Sequence, residues 1–302
     1  MRFTRVLALG ASALVLLSAC STGGGSKPTV KVGSDGFYEA KLMAEIYAQA
    51  LEAGGYTVDR TGIGIGARKV SAPALESGQI DLKPEYIGSG LAFYEPGKQT
   101  GDPAANATAL QAVLTTKGGG ITVLTYSPAA DQNAFVVRKD TATQLNLAKL
   151  SDTTAVQDQL KWGLATDCKT NAVCAAALKS AYGLDPKNIT PLAACDTPMA
   201  QALVNKTIDV AELCSTQPDI AVNGFVVLTD DKQTQPADNL APLVRNDLLA
   251  KVDKTSFEKI LNDVSAKMDT ATLTDLGKQI TVDKKDVAAV AKAWLQTAGL
   301  VK

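Results

Sequence analysis

The chain of 302 residues is 46% hydrophobic and 20% charged, an ordinary globular balance with length enough for about two domains. Thirty basic and thirty-one acidic residues leave a net charge of −1, with no basic stripe for nucleic acid. There is no histidine, which excludes Ser-His-Asp and Cys-His nucleophilic pairs, His-ligated zinc and an imidazole base, and moves the expectation from catalysis toward binding.

In chain order, Arg2 and Arg5 form a short basic region ahead of the apolar run from Val6 to Leu17. A run of about a dozen residues is too short to span a bilayer and has the layout of a signal peptide. Leu17-Ser18-Ala19-Cys20 resembles a bacterial lipobox, in which the cysteine receives a diacylglycerol and becomes the new N-terminus. Residues 1–19 are therefore expected to be a lipoprotein signal peptide, Cys20 the lipid anchor, and residues 20–29 a flexible tether, Gly/Ser-rich over Ser21–Ser26. Cleavage removes two arginines and no acid, so acyl chains rather than a basic patch are expected to hold the body at the membrane.

The mature body alternates strands and helices. Thr29–Val32 reads as a strand, and Leu42, Met43, Ile46, Tyr47, Ala50 and Leu51 repeat at helical spacing up to Gly54-Gly55. Tyr56–Val58 is a second strand, a Gly-rich loop Gly62–Gly66 leads to a helix near Lys69–Glu76, and Ile80–Leu82 begins a third strand. Ala104–Leu114 is helical, and Ile121–Tyr126 and Ala134–Arg138 are strands. Trp162–Ala165, Ile189–Leu192, Ile208–Leu213 and Phe225–Leu228 are further strands, with helices at Ala172–Tyr182 and Pro198–Asn205. Leu248–Leu261, Val264–Leu276 and Asp286–Leu295 carry apolar faces with charged backs. This β-α-β order predicts an α/β architecture of mixed sheets with helices on both faces.

With Cys20 assigned to the anchor, Cys168, Cys174, Cys195 and Cys214 remain. An even number in an exported protein suits disulfides. Of three possible pairings, Cys168–Cys174 would close a short loop ahead of a helix, and Cys195–Cys214 would join the ends of two neighbouring strands. The rival four-thiolate zinc site fits poorly, because neither spacing matches the usual C-x₂₋₄-C pairs.

Gly62 to Ala67 fits G-x-G-x-x-A with Asp81 about twenty residues on, which resembles a dinucleotide fingerprint. An exported protein meets no free pool of such a cofactor, and Pro73 sits inside the proposed binding helix, so no cofactor is expected. Asp81 and Glu85 form a carboxylate pair of the kind glycosidases use, without further support along the chain. Gln132-Asn133 and Cys214-Ser215-Thr216-Gln217 put small polar groups at strand ends, where α/β sheets bind ligands.

These residues resemble the glycine betaine/choline/carnitine-binding proteins of ABC importers, the ProX/OpuC group, from about Val30 to Leu300. Val32–Phe37 with Glu39 is similar to the opening "GSKxFTE". Ala74-Leu75, Gly78–Leu82, Pro84–Tyr86 and Gly88 are similar to "ALxxGxIDLYPEYTGT", and Leu203 with Ile208–Ala211 and Ser215-Thr216 to "ALxxGxIDVxxAYST". Leu228–Lys232, Pro236 and Asn239–Arg245 are similar to "LxDDKxxxPxxNxAPLVR".

The resemblance implies a two-lobed, type II periplasmic-binding-protein-like α/β fold with a ligand cleft between lobes. Lobe 1 would comprise residues 30–130 and 240–302, and lobe 2 residues 131–239. Closure would occur about two crossover strands near Ala134 and Leu240. It implies a small-molecule solute as ligand, ABC permease and ATPase subunits as partners, a monomer anchored outside the membrane, no enzyme activity and no metal. A surface-anchored sensor or scaffold on the same fold is the alternative; an exported hydrolase would lack both histidine and a nucleophile elbow. Asp35, Phe37, Asp81, Lys83, Tyr86, Asn133, Cys214, Ser215 and Thr216 are the expected ligand-binding residues.

The family holds trimethylammonium groups in a cage of tyrosines by cation–π attraction. Here Lys83, Asn133 and Cys214 stand where the family has tyrosines, a fourth falls near Ala200, and Tyr86 remains. Each missing ring face removes about 0.5–2 kcal/mol of cation attraction. An ammonium at Lys83 would add repulsion. The expected pocket therefore lacks most of the aromatic cage and favours a neutral or anionic, hydrogen-bonding or polyhydroxylated ligand.

Overall fold

The structure is a computed structural model and describes residues 27–302. Cys20, the signal peptide and most of the tether lie outside the described residues. β1 (Thr29–Asp35) leads into α1 (Tyr38–Ala53), which buries Leu42, Met43, Ile46, Tyr47 and Leu51. β2 (Thr57–Gly66), α2 (Arg68–Ser77), β3 (Leu82–Tyr86), α3 (Ile87–Tyr94), α4 (Pro103–Leu114) and β4 (Ile121–Val123) follow. The chain then crosses to β5 (Asn133–Val137), α5 (Lys139–Leu145), β6 (Trp162–Ala165), α6 (Ala175–Ala177) and β7 (Ile189–Leu192). α7 (Thr197–Val204), β8 (Val210–Cys214), α8 (Asp219–Val222) and β9 (Val226–Val227) complete this part. It returns as β10 (Leu240–Arg245) and ends in α9 (Asn246–Leu249), α10 (Lys254–Lys267), α11 (Thr270–Thr281) and α12 (Val287–Thr297).

Two five-stranded sheets result, ordered β2-β1-β3-β10-β4 and β7-β6-β8-β5-β9. In the first, β1 runs parallel to β2 and β3, and the returning β10 is antiparallel to β3 and β4. In the second, β6 runs parallel to β7 and β8, and the arriving β5 is antiparallel to β8 and β9. Each sheet thus takes as its antiparallel member the strand that has just crossed from the other. The two crossing segments lie side by side: Asp131 N donates to the Asp238 carbonyl and Leu240 N to the Ala129 carbonyl, both at 3.1 Å.

Helices flank both sheets. α1 packs with α10, α11 and α12 over Phe257, Leu261, Val264, Leu273 and Leu295 in the main core of the first lobe. Trp162, fully buried, centres a core of the second lobe with Phe135, Leu164 and Tyr182. Burial of apolar side chains on this scale, about 1.5–3 kcal/mol for each large one, is what holds the layers together.

Several local expectations are corrected. Gly62–Gly66 is the end of β2, not a loop, and pairs with Gly33 and Asp35 of β1. Glycine is needed at this crossing, since a Cβ on Gly33 would meet Ile80 Cδ1 at 2.5 Å. The expected helix Ala172–Tyr182 is broken into a turn at Cys168–Thr170, the single turn of α6 and a wider turn at Leu178–Tyr182. Cys174, tied to Cys168, has non-helical dihedrals that prevent a helix from starting earlier. In the C-terminal third the first two helices begin and end later than expected, whereas the third lies where Asp286–Leu295 places it. Asp253, Asp269 and Asp286 cap α10, α11 and α12 by accepting the N–H of Ser256, Thr272 and Ala289.

Both disulfides are formed: Cys168–Cys174 with Cα atoms 5.1 Å apart and Cys195–Cys214 with Cα atoms 4.8 Å apart. With these sulfurs paired, the described residues offer no thiolate set for zinc. The second bridge does not join neighbouring strands as expected, because β6 lies between β7 and β8. It ties the loop after β7 to the end of β8.

Candidate functional site

A cavity of about 330 Å³ opens between the two sheets, the small end of the range for ligand pockets. Its position follows from the topology. Asp35 and Tyr86 end the parallel strands β1 and β3, Ala165 and Cys214 end the parallel strands β6 and β8, and all four line the cavity. Carboxyl ends of parallel strands are where open α/β sheets leave room for ligands. Phe37 and Tyr86 form the aromatic part of the wall, with ring centroids 5.9 Å apart and planes at 33°.

Beneath this wall lies a buried charge network. Arg68 donates to Glu85 through Nε and Nη2 at 3.1 and 2.9 Å. Lys83 Nζ reaches Asp35 at 3.0 Å, Ser71 Oγ at 2.9 Å and Glu85 at 2.9 Å. Burial alone would raise the Glu85 carboxyl, but Arg68 and Lys83 outweigh it and hold its pKa down at about 2. The same exchange operates on Lys83, where burial opposes the ammonium and Asp35 and Glu85 more than restore it, so its pKa is raised.

Of the expected ligand residues, Asp35, Phe37, Tyr86, Asn133 and Cys214 line the cavity. Lys83 does not: its side chain is fully buried behind Asp35, and its charge is spent on two carboxylates. It therefore presents no bare ammonium to a ligand. Asp81 is also displaced, accepting Lys31 N at 3.0 Å just before β3. Glu85 lies four positions further along the extended chain, about 13 Å at the usual rise, so the Asp81–Glu85 pair is not brought together. Ser215 and Thr216 lie outside the cavity wall, Ser215 exposed and Thr216 buried. Ser215 Oγ and Thr216 N both donate to Asp131 at 2.9 Å, and Thr216 Oγ1 donates to Glu39 at 2.6 Å.

Six charged wall residues are absent from the expected set: Arg68, Asp131, Asp167, Asp196, Glu212 and Asp238. Arg68 was hidden by its place in the first turn of an amphipathic helix. Asp131 sits on a crossing segment, buried and pushed up to about 6 by that burial. Glu212 carried a usable signal, an acid inside the strand Val210–Cys214, where every residue is buried. Among the described residues the wall holds six carboxyl groups, Asp35, Asp131, Asp167, Asp196, Glu212 and Asp238, against one cation, Arg68. That balance runs opposite to the anion-favouring surroundings expected from Lys83.

The chain matches the family described as the substrate-binding domain of the ABC-type glycine betaine transport system over residues 28–297. It is 30% identical to the glycine betaine-binding protein YehZ of Escherichia coli K12, over 98% of this chain and 99% of that protein. It is 26% identical to the carnitine transport binding protein OpuCC of Listeria monocytogenes, over 93% of this chain and 92% of that one. Among solved structures, a glycine betaine/carnitine/choline ABC transporter protein superposes with a TM-score of 0.69 at 23% identity, covering 90% of this chain and 99% of that one. Apo YehZ from Escherichia coli superposes at 0.63 with 26% identity, covering 90% and 99%. The chain belongs to the family of substrate-binding domains of ABC-type glycine betaine transport systems.

Proposed function

We propose that this protein is the lipid-anchored, extracytoplasmic receptor of an osmoprotectant-type ABC importer, closing its two lobes around one small solute. The observation that carries the reading is the cavity itself, walled from both sheets and bounded by the paired crossing segments at Ala130 and Asn239. Residues 30–130 and 240–302 form one jaw and residues 131–239 the other, with the crossing segments as hinge. Closure presents both jaws together to the permease, whose ATPase drives release. The chain acts as a monomer held by Cys20, its tether reaching over residues 20–29. Two disulfides agree with a location outside the cytoplasm.

The ligand contacts are Asp35, Phe37, Tyr86, Asn133 and Cys214. Most of the aromatic cage is absent, and the acidic wall disfavours anions, so the solute is small and polar, neutral or cationic, and donates hydrogen bonds. Native mass spectrometry of the protein purified from its export compartment tests this directly. A single small solute retained one-to-one is the expected result; protein that carries none and is stabilised by none of a broad solute panel contradicts it. Cys20→Ala should release the protein from the membrane fraction.

A further inference from the structure

Glu212 lies in β8 and is 1% exposed. A carboxyl group so placed ordinarily meets a cation or a full set of donors. Glu212 has neither among the described residues. Its Oε2 accepts the Ala165 N–H at 2.7 Å. The Cys174 sulfur is 3.3 Å from the same oxygen, but it is bonded to Cys168 and has no proton to give. Oε1 has no hydrogen-bond partner among the described residues and is not sealed from solvent, and the residue borders the cavity. Asp167 and Asp196 stand on the same wall. Phe37 and Tyr86, the two rings at the cavity, both come from the first sheet's side, and no described lining residue of the second sheet's side is aromatic.

A quaternary ammonium would therefore meet ring faces on one side only. On the other side it would meet a carboxyl oxygen that wants a donor, and it has no N–H to offer. We propose that Glu212, assisted by Asp167, is the specificity-determining residue of the cleft and selects a solute carrying a protonated amine with at least one N–H over a fully methylated one. This rests on the reading that the cleft is the solute site.

Calorimetric titration of residues 27–302 with glycine, sarcosine, N,N-dimethylglycine and glycine betaine isolates the point, because the carboxylate stays constant while N–H groups are replaced by methyl groups. The step from dimethylglycine to glycine betaine removes the last N–H and should weaken binding about tenfold or more, the range for a hydrogen bond to a charged group. Glu212→Gln keeps an acceptor for Ala165 N–H and should shrink that step to about threefold or less. The wild-type series decides the matter even if that variant does not fold, and Asp167→Asn, at a partly exposed position, should shrink the step in the same direction. Glycine betaine binding as tightly as dimethylglycine, or more tightly, overturns the proposal. So does a series in which no member binds; if another solute then binds, the receptor reading survives, and if none does, both fall.

Discussion

Glu39, on the first turn of α1, and Thr216, just past the end of β8, meet across the two lobes through a 2.6 Å hydrogen bond. Tyr86 donates to the other Glu39 oxygen, so one buried carboxyl group links both aromatic and hinge-side parts of the site. Removing the lobe-two partner with Thr216→Val should cost about 1–3 kcal/mol, the penalty for a buried acceptor left without its donor. Urea denaturation checks the figure, and a change below about 0.5 kcal/mol would mean that the bond does not span the lobes in solution.

Burial, reinforced by the nearby Asp131, raises the Glu39 pKa well above its ordinary value. The folded state therefore holds a proton that the unfolded chain gives up near pH 4.3. Stability from this group is complete below that pH and declines as pH rises through the folded-state value. Thermal melts from pH 4 to 9 should show that decline, and Glu39→Gln should flatten part of it. Asp131, Glu212 and Asp238, also raised by burial, contribute to the remainder.

Lys83 belongs to the scaffold rather than to the ligand. Lys83→Met leaves Asp35 without its cation and Glu85 with Arg68 alone, and should cost about 3–5 kcal/mol, as when one partner of a buried ion pair is removed. The opposite sign of linkage applies to Glu85. Its pKa near 2 means that its stabilisation is present above the unfolded value and is lost as pH falls toward 2. Acid titration of the wild type and of Glu85→Gln, followed by near-UV dichroism, should separate the two curves below about pH 4.

The Cys195–Cys214 bridge borders the cavity and holds the loop after β7, where Cys195 itself takes a positive φ of 56°. A double Cys195→Ser, Cys214→Ser variant should lose about 3 kcal/mol through the freed unfolded chain. It should also bind solute more weakly, because the cavity wall is no longer held in place. Equal affinity in the reduced and oxidised proteins would show that the loop is positioned without the bridge.

Amine binding at Glu212 carries its own pH signature. Burial, with a smaller push from Asp167 and against the Ala165 N–H, raises Glu212 to about 7. Among the described residues the other charged groups on the cavity wall are Asp35, Asp131, Asp196, Asp238 and one cation, Arg68. A cationic ligand prefers the ionised form, so affinity should rise with pH through about 7 and level off above it. Glu212→Gln should reduce that rise and leave the part due to Asp131 and Asp238, which burial raises to about 6 and about 7; a wild-type affinity independent of pH between 6 and 8 contradicts the pairing.

The architecture was legible because α/β order is written in apolar periodicity: β1, α1, β6 and β7 lie where the residues indicated. Cap chemistry is legible in part: the expected last helix begins at its cap, Asp286, whereas the apolar runs Leu248–Leu261 and Val264–Leu276 hide Asp253 and Asp269. The site was only half legible. Residues at strand ends, such as Asp35, Tyr86 and Asn133, can be read from one stretch of chain. Lys83 could not, because its neutralisation depends on Asp35, 48 residues away and on another strand. Arg68 and Glu212 reach the same cavity from different lobes, a meeting that no local pattern records.

Small-angle scattering from residues 27–302, recorded with and without a solute that calorimetry shows to bind, bears most directly on the claim that the jaws shut on their cargo. A smaller radius of gyration in the loaded protein is the expected result. A bound solute that leaves the curve of an otherwise open protein unchanged would contradict the hinge, and with it the account of how this receptor signals that it is full.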